Sequence, residues 1–184
     1  MDNKQRCSWV NMQNELYVEY HDKEWSVACY DDKELFELLI LELFQAGLSW
    51  ECILNKRNFF KKAFSNFSPK EIAEYDENKI NELMNNKNIV RNRRKIEATI
   101  INAKVFLEIQ KEYKTFANYI WSFTNNKVIK NIDDNFKTTS PLSDKISKDL
   151  KKRGMKFVGT TIIYSYLQAI GVINDHELNC FCYK

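Results

Sequence analysis

The chain has 184 residues, 44% of them apolar, enough to fill the core of one domain or of two closely packed halves. Lys and Arg outnumber Asp and Glu by three (28 against 25), too few to argue alone for a nucleic-acid partner, and no apolar run approaches the ~18 residues of a membrane span. The N-terminal M-D-N-K-Q-R-C-S-W lacks the apolar core of a secretory signal, so an intracellular protein is expected, with its five Cys as thiols or metal ligands rather than disulfides.

Residues 1–32 show little helical periodicity but hold many aromatic and metal-binding side chains, among them Cys7, Trp9, Tyr17, Tyr20, His21 and Trp25. Such an arm must pack on something. Residues 33–46 form a helix with a broad apolar stripe through Leu35, Phe36, Leu38, Leu39 and Leu41, and Trp50 to Phe64 form a second. Ser68-Pro69-Lys70-Glu71 reads as a capping box with Pro at the first helical position. Asp76 caps the next helix, through Ile80, Leu83 and Met84. A long amphipathic helix follows from Asn92 to about Tyr113, and a shorter one opens at Thr115. Val128 to Pro141 reads as a loop, Ser143 caps a helix ending at Gly154, and Thr160 to Ala169 is a last apolar helix. Strand alternation is weak throughout, so the expected fold is all-α.

Three features point to chemistry. Glu42 falls inside the apolar run of the first strong helix, followed closely by Gln45, Gly47 and Trp50. A carboxylate is rarely buried without a partner or a purpose, and the alternatives are a pocket wall or a helix end with one exposed Glu. The short connection Lys87-Asn88-Ile89-Val90-Arg91 joins two helices and is followed by Arg93, Arg94 and Lys95. Such a hairpin can present backbone N–H groups and added positive charge to a phosphate, or it is an αα-corner with an apolar plug. Asn88 stands where glycine is usual, and Asn tolerates the left-handed backbone. His176 and Cys180 are four apart, one face of a helical turn, and with Cys7 and His21 they are either a Cys2His2 set suited to one structural Zn²⁺ that pins the arm to the C-terminus, or scattered core thiols and satisfied histidines. Cys182 is a possible alternate ligand, while Cys29 and Cys52 are expected to be buried small apolar residues.

Several separated blocks share one resemblance: Cys7-Ser8-Trp9-Val10, Tyr20-His21-Asp22 with Glu24-Trp25, Leu41-Glu42 with Gln45 to Trp50, Ile89-Val90-Arg91-Asn92-Arg93, and Trp121-Ser122-Phe123. The longest runs from Lys152-Arg153-Gly154 through Lys156 to Thr161, Tyr164-Ser165, Gln168-Ala169 and Asn174-Asp175-His176 to Cys180. In these the chain resembles, over nearly its whole length, the bacterial 3-methyladenine DNA glycosylase I (Tag) family of the helix-hairpin-helix superfamily. The resemblance implies one glycosylase unit over residues 1–184, with the helix-hairpin-helix at about 76–113 and a zinc clasp from residues 1–32 and 172–184. It places Cys7, His21, His176 and Cys180 as structural zinc ligands and Glu42 against the extruded base. Tyr17, Tyr20, Trp50, Trp9, Trp25 and Ser165 fall in or near the same pocket. Gly47-Leu48 falls on the loop that fills the gap left in the DNA, and Asn88, Ile89, Val90, Arg91, Asn92 and Arg93 fall on the phosphate-gripping hairpin.

What is implied is a monomeric bacterial cytoplasmic enzyme. It extrudes 3-methyladenine from double-stranded DNA, hydrolyses the N-glycosidic bond and leaves an abasic site without strand cleavage, with free 3-methyladenine as product. The alternative is a zinc-stabilised protein that binds alkylated DNA without cutting the bond. The chain departs from the family pattern in Leu43 after the pocket Glu, in Asn88 at the hairpin, and in Trp25-Ser26-Val27-Ala28 where W-G-V-P is usual.

Overall fold

Residues 4–132 and 135–183 are described by a computed structural model, so the parts of the expected arm, loop and clasp that fall on residues 1–3, 133–134 and 184 lie outside the described residues. Among those described the chain is mostly helical. Its α-helices are α1 (Glu15–Lys23), α2 (Asp32–Gln45), α3 (Trp50–Ala63), α4 (Pro69–Ala73), α5 (Glu77–Asn85), α6 (Arg93–Tyr113), α7 (Phe116–Ser122), α8 (Pro141–Lys152) and α9 (Thr160–Ala169).

Helix α2 is central. All ten residues from Leu35 to Phe44 are buried, and α3, α6, α7 and α9 pack around it. A helix surrounded in this way is apolar on every side, which is why its stripe looked so broad in the sequence. Its two buried carboxylates, Glu37 and Glu42, therefore need separate explanations. Local chemistry sets the helix ends: Asp31, Asp76, Asn92 and Thr115 accept first-turn N–H groups of α2, α5, α6 and α7.

Four local expectations need correction. The N-terminal arm contains a helix, α1, whose Asn14 cap accepts from the N–H groups of Leu16 and Tyr17. Only Tyr20 and His21 of α1 are buried, too few for apolar periodicity to reveal it. Helix α8 is capped by Ser140, not Ser143. Ser143 is the third helical residue, and its hydroxyl accepts from the Ser140 N–H to complete a capping box. At α4 only half of the expected box forms: Ser68 accepts from the Glu71 N–H. The 128–141 connection contains a strand, β1 (Ile129–Lys130), which pairs in parallel with β2 (Ile173–Asn174). Two residues per strand are too few to show alternation.

Ser26 has φ +62°, in the left-handed region that costs a side chain roughly 1–2 kcal/mol. The resemblance implies glycine at this position. The backbone is held there by the Ser26 N–H bonding the Gln168 carbonyl at 3.0 Å, and the Ser26 hydroxyl bonds the Ile173 carbonyl at 3.2 Å. Ser26→Gly is expected to raise unfolding stability by about 0.5–1 kcal/mol, after loss of that hydroxyl bond is set against relief of strain; denaturant titration checks it. Gly171 (φ +73°) lies against the same turn, and a Cβ there would sit 2.4 Å from the Val27 carbonyl carbon. The packing of α9 against the arm therefore depends on a residue with no side chain.

Candidate active site

A cavity of about 540 Å³ opens between α1, α2, the start of α3 and α9. Trp9, Tyr17, Tyr20, Trp25 and Trp50 line it with aromatic rings. Thr161, Ser165 and Gln168 also line it, from successive turns of one face of α9. Glu42 reaches the cavity from α2, and all seven residues expected in or near a base pocket meet here. The Tyr20 and Trp50 ring centres are 5.1 Å apart, and Trp9 packs edge-on against Trp25 at 4.8 Å.

The two buried carboxylates of α2 separate cleanly. Glu37 takes Arg57 Nε at 2.6 Å and Lys61 Nζ at 3.2 Å, which accounts for it as a structural ion pair. Glu42 is only 4% exposed, and no ion pair to it is found among the described residues. Burial without a cation pushes its carboxyl up to about 8. In the same cavity, Trp50 Nε1 is buried with no hydrogen-bond acceptor among the described residues. A fixed, uncompensated acid and an unsatisfied N–H in an aromatic cavity are suited to a flat cation bearing its own hydrogen-bonding edge. Leu43, the departure next to Glu42, is buried in the core and is not among the cavity residues.

Several cavity residues carried no role in the sequence reading. Gln168 and Asp175 line it, as do Asn135, Lys137 and Thr138 from beyond β1. The Asp175 carboxylate accepts from Tyr164 Oη at 3.1 Å and from Gln168 Nε2. Gln168 and Asp175 belong to conspicuous sequence blocks, but spacing alone could not bring them to face α2.

Cys7, His21, His176 and Cys180 are all buried, and one ligand atom from each lies within 4.8 Å of every other. Cys7 Sγ is 3.4 Å from His176 Nδ1, and Cys180 Sγ is 3.6 Å from the same nitrogen and 3.5 Å from His21 Nε2. The sulfur–nitrogen edge of a tetrahedron with ~2.3 Å metal–sulfur and ~2.0 Å metal–nitrogen bonds is about 3.5 Å, so the cluster could hold a metal ion. Surrounding groups fit that use. His21 Nδ1 bonds Asp22 at 2.8 Å, turning Nε2 inward, and Arg6 holds Asp22 through Nε and Nη2. The N–H groups of Glu177 and Cys182 each point at a cluster sulfur from 3.4 Å. His176 and Cys180 are not on a helix as their spacing suggested; a turn closed by the Cys180 N–H on the Glu177 carbonyl brings them together. Cys182 groups with His21 and Asp22 in a second, less buried set, and Cys29 and Cys52 are half-buried rather than buried.

The hairpin between α5 and α6 turns without a left-handed residue at Asn88, because the Asn86 side chain accepts the Asn88 N–H at 3.0 Å and does the turning. Ile89 is buried and Val90 half-buried, so both apolar side chains plug inward. Asn92 caps α6, and Arg91 and Arg94 are exposed. Arg93 is committed to ion pairs with Glu77 and Glu97, and Lys95 is buried with its ammonium on the carbonyls of Phe44 and Ala46. The basic run is therefore smaller than it reads, and Lys95 is not placed as a nucleophile. Gly47 (φ +81°) and the 39% exposed Leu48 form the loop from α2 to α3, closed by the Gln45 side-chain amide on the Leu48 carbonyl.

Residues 9–183 match the model of the methyladenine glycosylase family. The chain belongs to this family. It is 43% identical over 182 residues to DNA-3-methyladenine glycosylase 1 of Escherichia coli K12, covering 97% of each chain. It is 41% identical to DNA-3-methyladenine glycosylase of Haemophilus influenzae, covering 96% of this chain and 97% of that one. A crystal structure of 3-methyladenine DNA glycosylase I superposes with a TM-score of 0.94 at 44% identity, covering 98% of this chain and all of the other. The Staphylococcus aureus 3-methyladenine DNA glycosylase I, solved for the structural basis of 3-methyladenine recognition, superposes at 0.93 and 34% identity, covering 100% of this chain and 98% of that one. Among the described residues the chain shares with these structures a mostly helical fold, with β1–β2 its short parallel ladder.

Proposed function

We propose that the protein is a base-excision repair glycosylase that removes 3-methyladenine from double-stranded DNA by hydrolysing its N-glycosidic bond. Its relatives bear that activity in their names, and the observation within the chain that carries the reading is Glu42, buried without a cation in an aromatic cavity. Methylation at N3 makes adenine cationic while it is still bound to the sugar. The leaving group is then already activated, and the enzyme must mainly extrude and recognise the base. The Trp50 and Tyr20 rings each attract a delocalised cation by ~0.5–2 kcal/mol. Trp50 Nε1 can donate to a ring nitrogen of the base, and the Glu42 carboxylate accepts from its N–H edge. Tyr17, Trp9, Trp25 and Ser165 complete the walls. As the C1′–N9 bond breaks, positive charge moves to the sugar, and Glu42 stabilises it there as well. Water then adds to C1′ and loses a proton to solvent. Water, not an amine, takes C1′ on this route, so the product is an intact strand with an abasic site. A duplex with a single 3-methyladenine should therefore run as full-length strand after incubation and break only after alkali; strand breaks without alkali would contradict this.

Leu48 fills the space the extruded nucleotide leaves, with Gly47 giving the loop its turn. The hairpin from Asn88 to Arg93 grips backbone phosphate, with Ile89 and Val90 contributing only main-chain N–H groups. Of its cations Arg91 is the better phosphate ligand, because Arg93 is held by two carboxylates. Arg91→Glu is expected to weaken duplex binding about tenfold with no sequence preference and to lower the salt slope by about one; a larger effect at Arg93 would reverse the assignment.

The Cys2His2 cluster would hold one Zn²⁺, whose role when bound is structural: four protein ligands close the tetrahedron. The chain works as a single unit, a monomer supplying every cavity residue. No helix among the described residues is long and apolar enough to cross a membrane. Its named relatives are bacterial and its substrate is the chromosome, so the bacterial cytoplasm is its place of work.

A further inference from the structure

Lys95 is the third residue of α6, directly after the hairpin, yet it is 5% exposed. Its ammonium donates to the carbonyls of Phe44 at 2.8 Å and Ala46 at 2.6 Å. These belong to the end of α2, whose last carbonyls have no partner within the helix. Its backbone N–H bonds the side chain of Asn92, the cap of α6, at 3.2 Å. One residue is thus tied at one end to the hairpin and at the other to the start of the Gly47-Leu48 loop. Lys56 makes a second tie from the far side of that loop: from α3 it donates to the Asn88 carbonyl at 3.3 Å. Burying an ammonium against neutral carbonyls carries a desolvation cost, and burial correspondingly lowers the Lys95 pKa. A cation beside a DNA-gripping hairpin would ordinarily be a phosphate ligand, but this one faces inward.

We propose that Lys95, assisted by Lys56, is a positioning residue that locks the Gly47-Leu48 loop to the 86–92 hairpin, so that grip on the DNA backbone and entry of Leu48 into the duplex occur as one event. The proposal rests on the DNA-contacting reading of hairpin and loop given above. The loop alone is a few residues of largely exposed chain and the hairpin is anchored by Ile89 and Val90; bonded together they form a rigid two-pronged unit with its spacing fixed.

The test is a double-mutant cycle between Lys95→Met and Leu48→Ala, read by single-turnover excision from a 3-methyladenine duplex and by duplex Kd. Lys95→Met is expected to slow excision by at least ~30-fold in the wild-type background and by less than about 3-fold in the Leu48→Ala background, because the two act through one step. Affinity for free 3-methyladenine should stay within about 3-fold, and the salt slope of duplex binding should not change, whereas loss of a direct phosphate contact would lower it by about one. Equal cost in both backgrounds, or a reduced slope, overturns the proposal. If Lys95→Met fails to fold, Lys56→Met is put through the same cycle, with a loss of about 3- to 10-fold expected that disappears in Leu48→Ala; additivity there overturns the proposal equally. Absence of excision by the wild-type protein would instead overturn the glycosylase reading, and the duplex Kd cycle would still decide the coupling.

Discussion

Glu42→Gln is expected to slow excision of 3-methyladenine by roughly 30- to 300-fold, the loss of about 2–3.4 kcal/mol of charge-assisted stabilisation, with the fold and metal content unchanged. The amide keeps the shape and one acceptor but removes the negative charge, so the loss reports charge rather than packing. The pH dependence gives a second signature. Burial holds the Glu42 carboxyl up to about 8, so in the free protein at pH 7 it is mostly protonated. The cationic base requires the carboxylate, so kcat/KM should rise with pH up to about 8 and then level, while the Gln variant shows no such rise. Stability runs the other way. A folded-state pKa above the unfolded value of 4.5 means that Glu42's contribution is fully present below that value and is lost as pH rises toward 8. Between pH 5 and pH 8 the wild type should therefore lose about 1–4 kcal/mol more stability than Glu42→Gln, seen by denaturant titration at both values. Equal pH dependence in the two proteins would mean that Glu42 has a partner and is structural, as Glu37 is.

Cys180→Ala is expected to abolish stoichiometric zinc and to lower the unfolding midpoint by roughly 10 °C, at about 2–4 °C per kcal/mol for a chain of this size. The cluster joins the arm through Cys7 and His21 to the C-terminal turn through His176 and Cys180, ends of the chain otherwise linked by few regular elements. Excision at low temperature should fall by less than about tenfold, because an ion held by four protein ligands would have no open position and would act on the cavity only by holding the arm and the C-terminal turn in place. Calorimetry and metal analysis of the same preparation test both halves. Wild-type protein without zinc, or a variant as stable as the wild type, would remove the clasp.

Much of this arrangement could be read from the sequence because it rests on local rules. Periodicity locates α2, α3 and α6, and Asp76, Asn92 and Thr115 mark starts that the structure repeats. Glu42 stands out because an acid in an apolar run breaks the pattern, and the Cys2His2 set because those residue types are scarce. What the sequence hides is set by tertiary contact. Helix α1 is amphipathic over barely one turn, and β1 and β2 exist only through each other. Ser143 looks like the α8 cap, and only geometry shows Ser140 capping and Ser143 answering it. Lys95 reads as one more cation in a basic run, because nothing local reveals that the end of α2 waits for its ammonium. Asn88 looked like a substitute for glycine in a left-handed turn, whereas the Asn86 side chain removes the need for one.

The most direct test of the account is chromatography of the bases released from N-methylated duplex DNA by the wild-type protein. The predicted result is a dominant 3-methyladenine peak that grows with time and is nearly absent with Glu42→Gln. Tight binding of the methylated duplex with no base released would contradict it, and would make the protein a sensor of alkylated DNA rather than an enzyme that repairs it.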